Sequence, residues 1–406
     1  TYRLDYPEGK TLYKSQGWIN APRFSPDGQW IAFLDHPFPG DDRGSVTFMK
    51  ANGTEQRSTV MYSSVSGLAW SKSGDEVWFS GSEGTNRMSI YAVDKNGRVR
   101  LIVQTSANLV LHDITQNGDA LITQDDRRRE IMARPPGGDH EINLTWFDYS
   151  VSRDLSNDGK TILFEEEGDG GGPNYSIYIR SIDGGPAVRL GEGWAFSLSP
   201  DGKWVLSGLP VLPLKLSLLP TGAGRPVPLN IPRVVLNQSG AKFFSDGVRI
   251  LLRGAEPGRA PRFWIFDIKK ASLIPVTPEG TGTVAAQPVL SPDETKVIIR
   301  CKDQYCLCPF DGSQQTVLPG TTTDDLPVGW TSDKDSIYIV RLQAASIDVD
   351  VLNIRTGERT RWKQLVPSDP TGVSSLTNLK ILPDGKAYYY GYRRVTSDLF
   401  LVKGLH

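Results

Sequence analysis

The sequence predicts an all-β protein, a single closed β-propeller of eight or nine four-stranded antiparallel blades. Three observations carry that expectation. A short motif recurs nine times, at intervals of about 40 to about 51 residues, the period of a four-stranded blade. Each copy is followed by a short, nearly continuous apolar run and then by further strand-length segments. Finally, 41 Gly and 28 Pro among 406 residues punctuate the chain, and no stretch sustains a helical period.

The clearest copies are FSPDGQWIAF (24–33), LSPDGKWVLS (198–207) and LSPDETKVII (290–299). Degenerate copies occupy 70–79, 114–123, 155–164, 243–252, 330–339 and 381–390. Ser-Pro-Asp-Gly suits a type I turn: Ser opens it, Pro pre-sets φ at the second position and Gly closes the fourth. Runs such as Trp30–Phe33, Trp204–Leu206 and Val297–Ile299 then read as strands covered on both faces, as stacked blades require. A second strand pair follows in each interval, for example Ser45–Lys50, Ser89–Asp94, Ser176–Ser181 and Asp398–Lys403. Tight polar turns such as Ala51-Asn52-Gly53 and Asp94-Lys95-Asn96-Gly97 close most of these hairpins. The predicted strand order is A–B–C–D, with the motif at the B–C turn. No linker or low-complexity tract interrupts the repeats, so residues 1–406 read as one domain.

Charge excludes one class of partner. Forty-five Lys plus Arg balance 46 Asp plus Glu, for a net charge of −1, so no nucleic-acid footprint is present. Arg127-Arg128-Arg129 is the only basic run, and flanking carboxylates give it the pattern of a solvated loop. The most apolar stretch, 206–219, contains Pro210, Pro213 and Lys215 and falls short of a membrane span. Cys301, Cys306 and Cys308 sit close together; buried free thiols are expected, with a Cys301–Cys306 disulfide as the alternative. No metal or other cofactor is expected: the four His are scattered, without metal-binding spacing. The nucleophile elbow G-x-S-x-G, the phosphate-binding P-loop and the kinase catalytic loop are all missing, so no catalytic residue is assigned.

Antiparallel order puts the B–C and D–A turns on one face and the A–B and C–D loops on the other. The second set is longer, and function on a rigid scaffold concentrates in such loops. The 35–44 loop offers His36, Asp41, Asp42 and Arg43, either as a ligand-contacting cluster or as an Asp–Arg bridge pinning the loop. The 165–174 loop offers Glu166, Asp169 and Asn174, either as an acidic solvated hairpin or as oxygen ligands for Ca²⁺. Trp18, Tyr149 and Trp194 stand seven to nine residues before their motif Asp, where they form either a stacking surface for a peptide or sugar or packing between blades.

The motif set resembles the TolB-type, WD-repeat-like propeller family, whose hallmark is SPDG before an apolar strand. More specifically, the chain resembles the C-terminal sensor region of bacterial transmembrane Ser/Thr protein kinases. That resemblance rests on DHPFPGDDRGSV (35–46), FEEEGDGGGPNYSIYIR (164–180), AVRLGEG (187–193), LLPTGAGRP (218–226) and RRVTSDLFLVKGL (393–405). It implies a non-catalytic sensor or scaffold lying outside the inner membrane. A kinase domain and a membrane helix would precede Thr1, and an unidentified protein, peptide or small molecule would be the partner. Two other readings remain open: a free periplasmic TolB-like propeller, and the gating propeller of a prolyl-oligopeptidase-like hydrolase. No hydrolase domain is expected after His406.

Overall fold

The computed structural model describes residues 2–38, 40–84, 87–211, 213–281, 288–343 and 345–405, with backbone only at 237–239. Pro39, quoted above in the 35–44 loop, lies outside the described residues. The chain is all-β, built from antiparallel sheets that are mostly four-stranded, and one 3-10 turn (Asp169–Gly171) is the only helical element among the described residues. Contacts divide it into two compact units, 1–127 with 395–406, and 128–394.

The motif turns fold alike because each carries its own hydrogen-bond kit. Ser25 Oγ donates to Asp27 at 2.5 Å and accepts from Trp30 N at 2.9 Å, while Asp27 accepts from Gln29 N at 3.0 Å. The same set recurs at Ser156/Asp158, Ser199/Asp201 and Ser291/Asp293; at Thr331/Asp333 the hydroxyl again donates to the aspartate, but Asp333 accepts the Ser336 amide. These hydroxyls hold the turn aspartates below the usual carboxylate range. The fourth turn position is left-handed, at φ 70 in Gly28 and φ 63 in Lys334, so Lys334 bears a Cβ where Gly has none.

Strand order within the sheets differs from the expected one. Most sheets begin with the strand before the motif, and the motif turn joins their first and second strands. The strand expected as A, such as Val99–Val103, instead closes the preceding sheet as its fourth. A tight turn leads into that strand, so it pairs back on its immediate neighbour. The assignment of loops to faces survives this change, because antiparallel alternation is the same either way.

Nor does every repeat own a sheet. In the third and ninth repeats the second strand instead runs on to 15 residues, Ala120–Arg134 and Tyr388–Val402. The expected loop and third strand of these repeats do not form, and Asp398–Lys403 mostly continues the second strand. No proline or tight polar turn interrupts either run. Arg127–Arg129 is accordingly strand, not a solvated loop: Arg127 bonds Asp125 and Arg129 packs on Tyr149.

Unit 1 contains the 18–58 and 64–103 sheets, the 108–127 hairpin and residues 395–402, with the Tyr2–Asp5/Thr11–Ser15 hairpin beside the first sheet. Its cores lie between successive sheets, around Phe48, Leu68 and Phe79 and around Trp78, Ile90 and Leu111.

Unit 2 is a complete circuit. Its sheets span 150–192, 194–229, 235–275, 296–317 and 326–365; the sixth combines Val373–Ile381 and 388–394 with 128–134 and Ile142–Asn143. Six separate apolar clusters fill the six junctions, including the one between the sixth sheet and the first, where Ile131 and Tyr389 meet Leu155 and Phe164. Fully burying each such side chain stabilises the fold by about 1.5–3 kcal/mol.

First strands are edges of their sheets, so some of their amides have no partner within the sheet. Side chains of the preceding blade accept them. Asp154 takes Leu198 N at 2.9 Å, Glu165 takes Ala195 N at 2.5 Å and Ser197 takes Phe243 N at 3.3 Å. In unit 1, Ser80 takes Leu111 N at 2.8 Å.

Cys301 and Cys306 are disulfide-bonded and Cys308 is a buried free thiol, which corrects the expectation of three free thiols. The two bonded cysteines sit near the turn end of one hairpin, with Cα atoms 5.9 Å apart.

Two stability outcomes follow. Ser197→Ala strands the Phe243 amide and should lower unfolding stability by about 1–3 kcal/mol in urea titrations. Lys334→Gly relieves a left-handed Cβ and should raise it by about 1 kcal/mol; no gain would mean Lys334 is unstrained.

Candidate functional site

The loops proposed from sequence fall into one cluster in each unit. In unit 1, Trp18 stacks on His36 with ring centroids 3.7 Å apart and donates to the Asp41 carbonyl at 3.2 Å. His36 is fully buried, and burial lowers its pKa. Asp41 and Arg43 are both buried and form a forked ion pair, with Nη2 to Oδ2 at 2.7 Å, and Arg43 also covers Phe38 at 4.6 Å. Asp42 is exposed, and its carbonyl accepts Val65 N at 3.0 Å. Of the two readings of this loop, the pinned one describes Asp41 and Arg43, which are spent on each other.

In unit 2, five predicted residues lie along one rim, where the connection into the 150–192 sheet meets the 165–175 loop. Tyr149 lies half-buried under Arg129, 5.0 Å from the ring centroid, and its carbonyl accepts Glu167 N at 3.0 Å. Asp169 opens the 3-10 turn. Asn174 bonds Glu192 at 3.1 Å, and its carbonyl accepts Gly193 N beside Trp194. Trp194 is only 6% exposed and belongs to the apolar junction with the next blade, so the packing reading describes it.

Strand alternation separates the three consecutive glutamates. Glu165 and Glu167 both pair with Arg153, Glu167 at 3.2 Å, and Arg129 adds a second cation to Glu167 at 3.7 Å. Burial pushes Glu165 up, whereas the two guanidiniums hold Glu167 below the usual range. Glu166 is fully buried; Oε1 accepts Ser150 Oγ and Phe147 N (3.2 Å) and Oε2 has no partner. Burial raises its pKa to about 7. Since these carboxylates serve guanidiniums and a buried pocket separately, they do not converge as Ca²⁺ ligands. No group of three or more metal-ligating side chains assembles among the described residues.

Sequence spacing missed the aromatics that are open to solvent here. Trp146 and Phe147, just before Tyr149, are 36% and 47% exposed, and their rings stand 5.8 Å apart. Arg180 braces Trp146 from 5.3 Å and donates to the Leu144 carbonyl at 3.0 Å. Phe147 crowds Gly170, where an added Cβ would come within 2.7 Å of its ring. Next to it, Asp148 abuts Gly168 in the same way, at 2.5 Å. Two consecutive aromatics before a first strand, in Trp146-Phe147-Asp148-Tyr149, were the available signal. The result is an aromatic step with an exposed carboxylate, held by Arg180, the Glu166 carboxylate and Tyr178.

The chain is thus a blade-built β-propeller with an exposed aromatic step on one rim. No protein-family model and no curated protein matches the chain. Among solved structures it is similar to a putative TolB from Agrobacterium tumefaciens, at 18% identity over 66% of this chain and 99% of that one, with a TM-score of 0.48. It is also similar to TolB from Acinetobacter baumannii (19% identity, 71% of this chain and 63% of that one, TM-score 0.35). A third is oligogalacturonate lyase from Vibrio parahaemolyticus (12% identity, 71% and 97%, TM-score 0.40). These likenesses concern fold alone.

Glu166 gives the rim a pH signature. Its folded pKa, about 7, exceeds the ordinary 4.5, so the folded state holds the proton more tightly. The associated stability is complete below pH 4.5 and is lost as pH rises through 7, about 3 kcal/mol in all. In Glu166→Gln, denaturation midpoints should fall less than wild type between pH 4.5 and 8; parallel profiles would refute the shift.

Proposed function

We propose that this chain is a non-catalytic binding propeller whose docking surface is the long-loop rim of unit 2. The observation that carries this reading is the exposed Trp146–Phe147 step, with Arg180 braced against Trp146 and the Phe147 amide bonded to Glu166. Exposed aromatics on a rigid base lose little conformational entropy on binding, which is why they serve as anchors for protein and peptide partners. Against catalysis stands the way the nearby titratable groups are used: Glu165, Glu167, Arg129 and Arg153 neutralise one another, and Glu165 also accepts a backbone amide.

The finer reading is that of a sensor: the extracytoplasmic regulatory part of a bacterial Ser/Thr protein kinase, with a protein, peptide or small-molecule ligand. It rests on the sequence stretches given above, including 164–180, which builds this rim. No helix among the described residues is long and apolar enough to cross a membrane. A free periplasmic partner-binding propeller is the competing reading.

Phage-displayed peptides selected on the purified chain provide the test. Trp146→Ala and Phe147→Ala should each weaken the best peptide at least tenfold with circular dichroism unchanged, while Lys203→Ala on a motif turn should have no effect. Equal losses from the Lys203 change would move the surface to the other rim. For the sensor reading, the complete reading frame should encode a kinase domain and show phosphotransfer activity; its absence removes that reading and leaves the docking rim standing.

A further inference from the structure

The inside of unit 2 contains a second polar feature, independent of the rim. In five of the six sheets, one first-strand residue past the irregularity stands at the same level, as strand register shows. Asp154 faces Leu163, Ser197 faces Leu206, Lys242 faces Leu251, Gly329 faces Tyr338 and Lys380 faces Tyr389. Three of these reach the next blade or accept from it. Lys380 Nζ bonds Asp154 and donates to the Leu155 carbonyl at 3.0 Å, Asp154 accepts Leu198 N, and Ser197 accepts Phe243 N.

Lys242 breaks the series. An ammonium cannot accept an amide hydrogen, and among the described residues nothing hydrogen-bonds to its Nζ. Asp154, the carboxylate at this level, already serves Lys380 and two backbone amides, those of Leu155 and Leu198. The other nearby carboxylate, Glu294, is held by the Ser245 amide at 2.7 Å and the Ser245 hydroxyl at 2.9 Å, with Arg249 at 4.0 Å. Two lysines therefore share one carboxylate, leaving a net positive charge at this level. Burial and then the charge of Lys380 push the Lys242 pKa down to about 8, opposed by Asp154 and Glu294. A half-buried cation without a hydrogen-bonded counter-charge is a costly arrangement unless something of opposite sign joins it.

Space and access are both available. An added Cβ at Gly329 would meet only the Ile381 carbonyl, at 3.7 Å, and the Lys380 side chain keeps 23% of its exposure. We propose that this level of unit 2 is an oxyanion-binding site in which Lys242 and Lys380 hold a carboxylate- or phosphate-bearing ligand. The two ammoniums supply point charges, the form in which lysine binds phosphate and carboxylate.

Calorimetric titration of the whole chain with inorganic phosphate and with succinate, at constant ionic strength and pH 6.5, tests this site. One-to-one saturation by either probe is expected; phosphate alone or succinate alone then identifies the ligand class. Lys242→Met should bind at least tenfold more weakly and, without anion, should melt no lower than wild type. Lys203→Met, on an exposed turn, should bind as wild type does. Raising the pH to 9 should weaken binding several-fold, because Lys242 then loses its proton. If neither probe saturates, or if Lys242→Met binds like wild type and the ion is adventitious only, the site does not exist. Should Lys242→Met fold poorly, Lys242→Arg must retain binding and Lys242→Gln must lose it.

Discussion

An edge strand placed at the inside of a sheet exposes amides that its own sheet cannot satisfy, and this constraint organises the rest of the structure. A buried donor left unmade costs about 1–3 kcal/mol, so each blade must offer acceptors to its neighbour. Asp154, Glu165 and Ser197 do this in unit 2, and Ser80 does so in unit 1. These side chains fix the stagger of one blade on the next more narrowly than apolar packing can, because hydrogen bonds are directional and hydrophobic contacts are not. Irregularities in the first strands belong to the same solution. At Gly67, φ is 56, and an added Cβ would fall 2.0 Å from the Leu111 carbonyl, so only glycine admits the neighbouring backbone there.

The same requirement explains why buried charge collects where it does. Glu165 is bound at one oxygen by the Ala195 amide and at the other by Arg153, which in turn holds Glu167. A carboxylate recruited to cap an amide needs a cation, and the cation recruits another carboxylate. That chain runs outward from the blade junction to Arg129 and Tyr149 at the rim. The exposed Trp146–Phe147 step lies just before Tyr149 in the chain.

The sixth sheet of unit 2 shows how repeat identity can be overridden. Its inner strands come from residues 373–394 and its outer ones from 128–143, so segments far apart in sequence complete one blade. Tyr388 and Tyr390 each donate to Glu141, at 2.7 and 2.8 Å, and Tyr392 donates to Glu130 at 2.6 Å. These bonds tie the late strand to the early one across about 250 residues of chain. Local motif chemistry cannot encode such a pairing, because both motif turns look ordinary.

Much was determined by the sequence alone. The all-β class, the four-stranded unit, the motif turns and the two sets of loops all follow from local rules: turn residues at fixed offsets and apolar runs of strand length. Their physics is contained within about ten residues, as the Ser25–Asp27–Trp30 bonds illustrate. Only the tertiary structure decided which strands share a sheet, that Cys301 joins Cys306, and which polar residues are consumed. The sequence left open whether Asp41 and Arg43 contact a ligand or pin their loop, and they form a buried ion pair, whereas Trp146 and Phe147, which sequence spacing did not single out, are open to solvent. Exposure depends on what a neighbouring blade places against a side chain, and that neighbour is set by packing between distant repeats rather than by the residue's own surroundings in the chain.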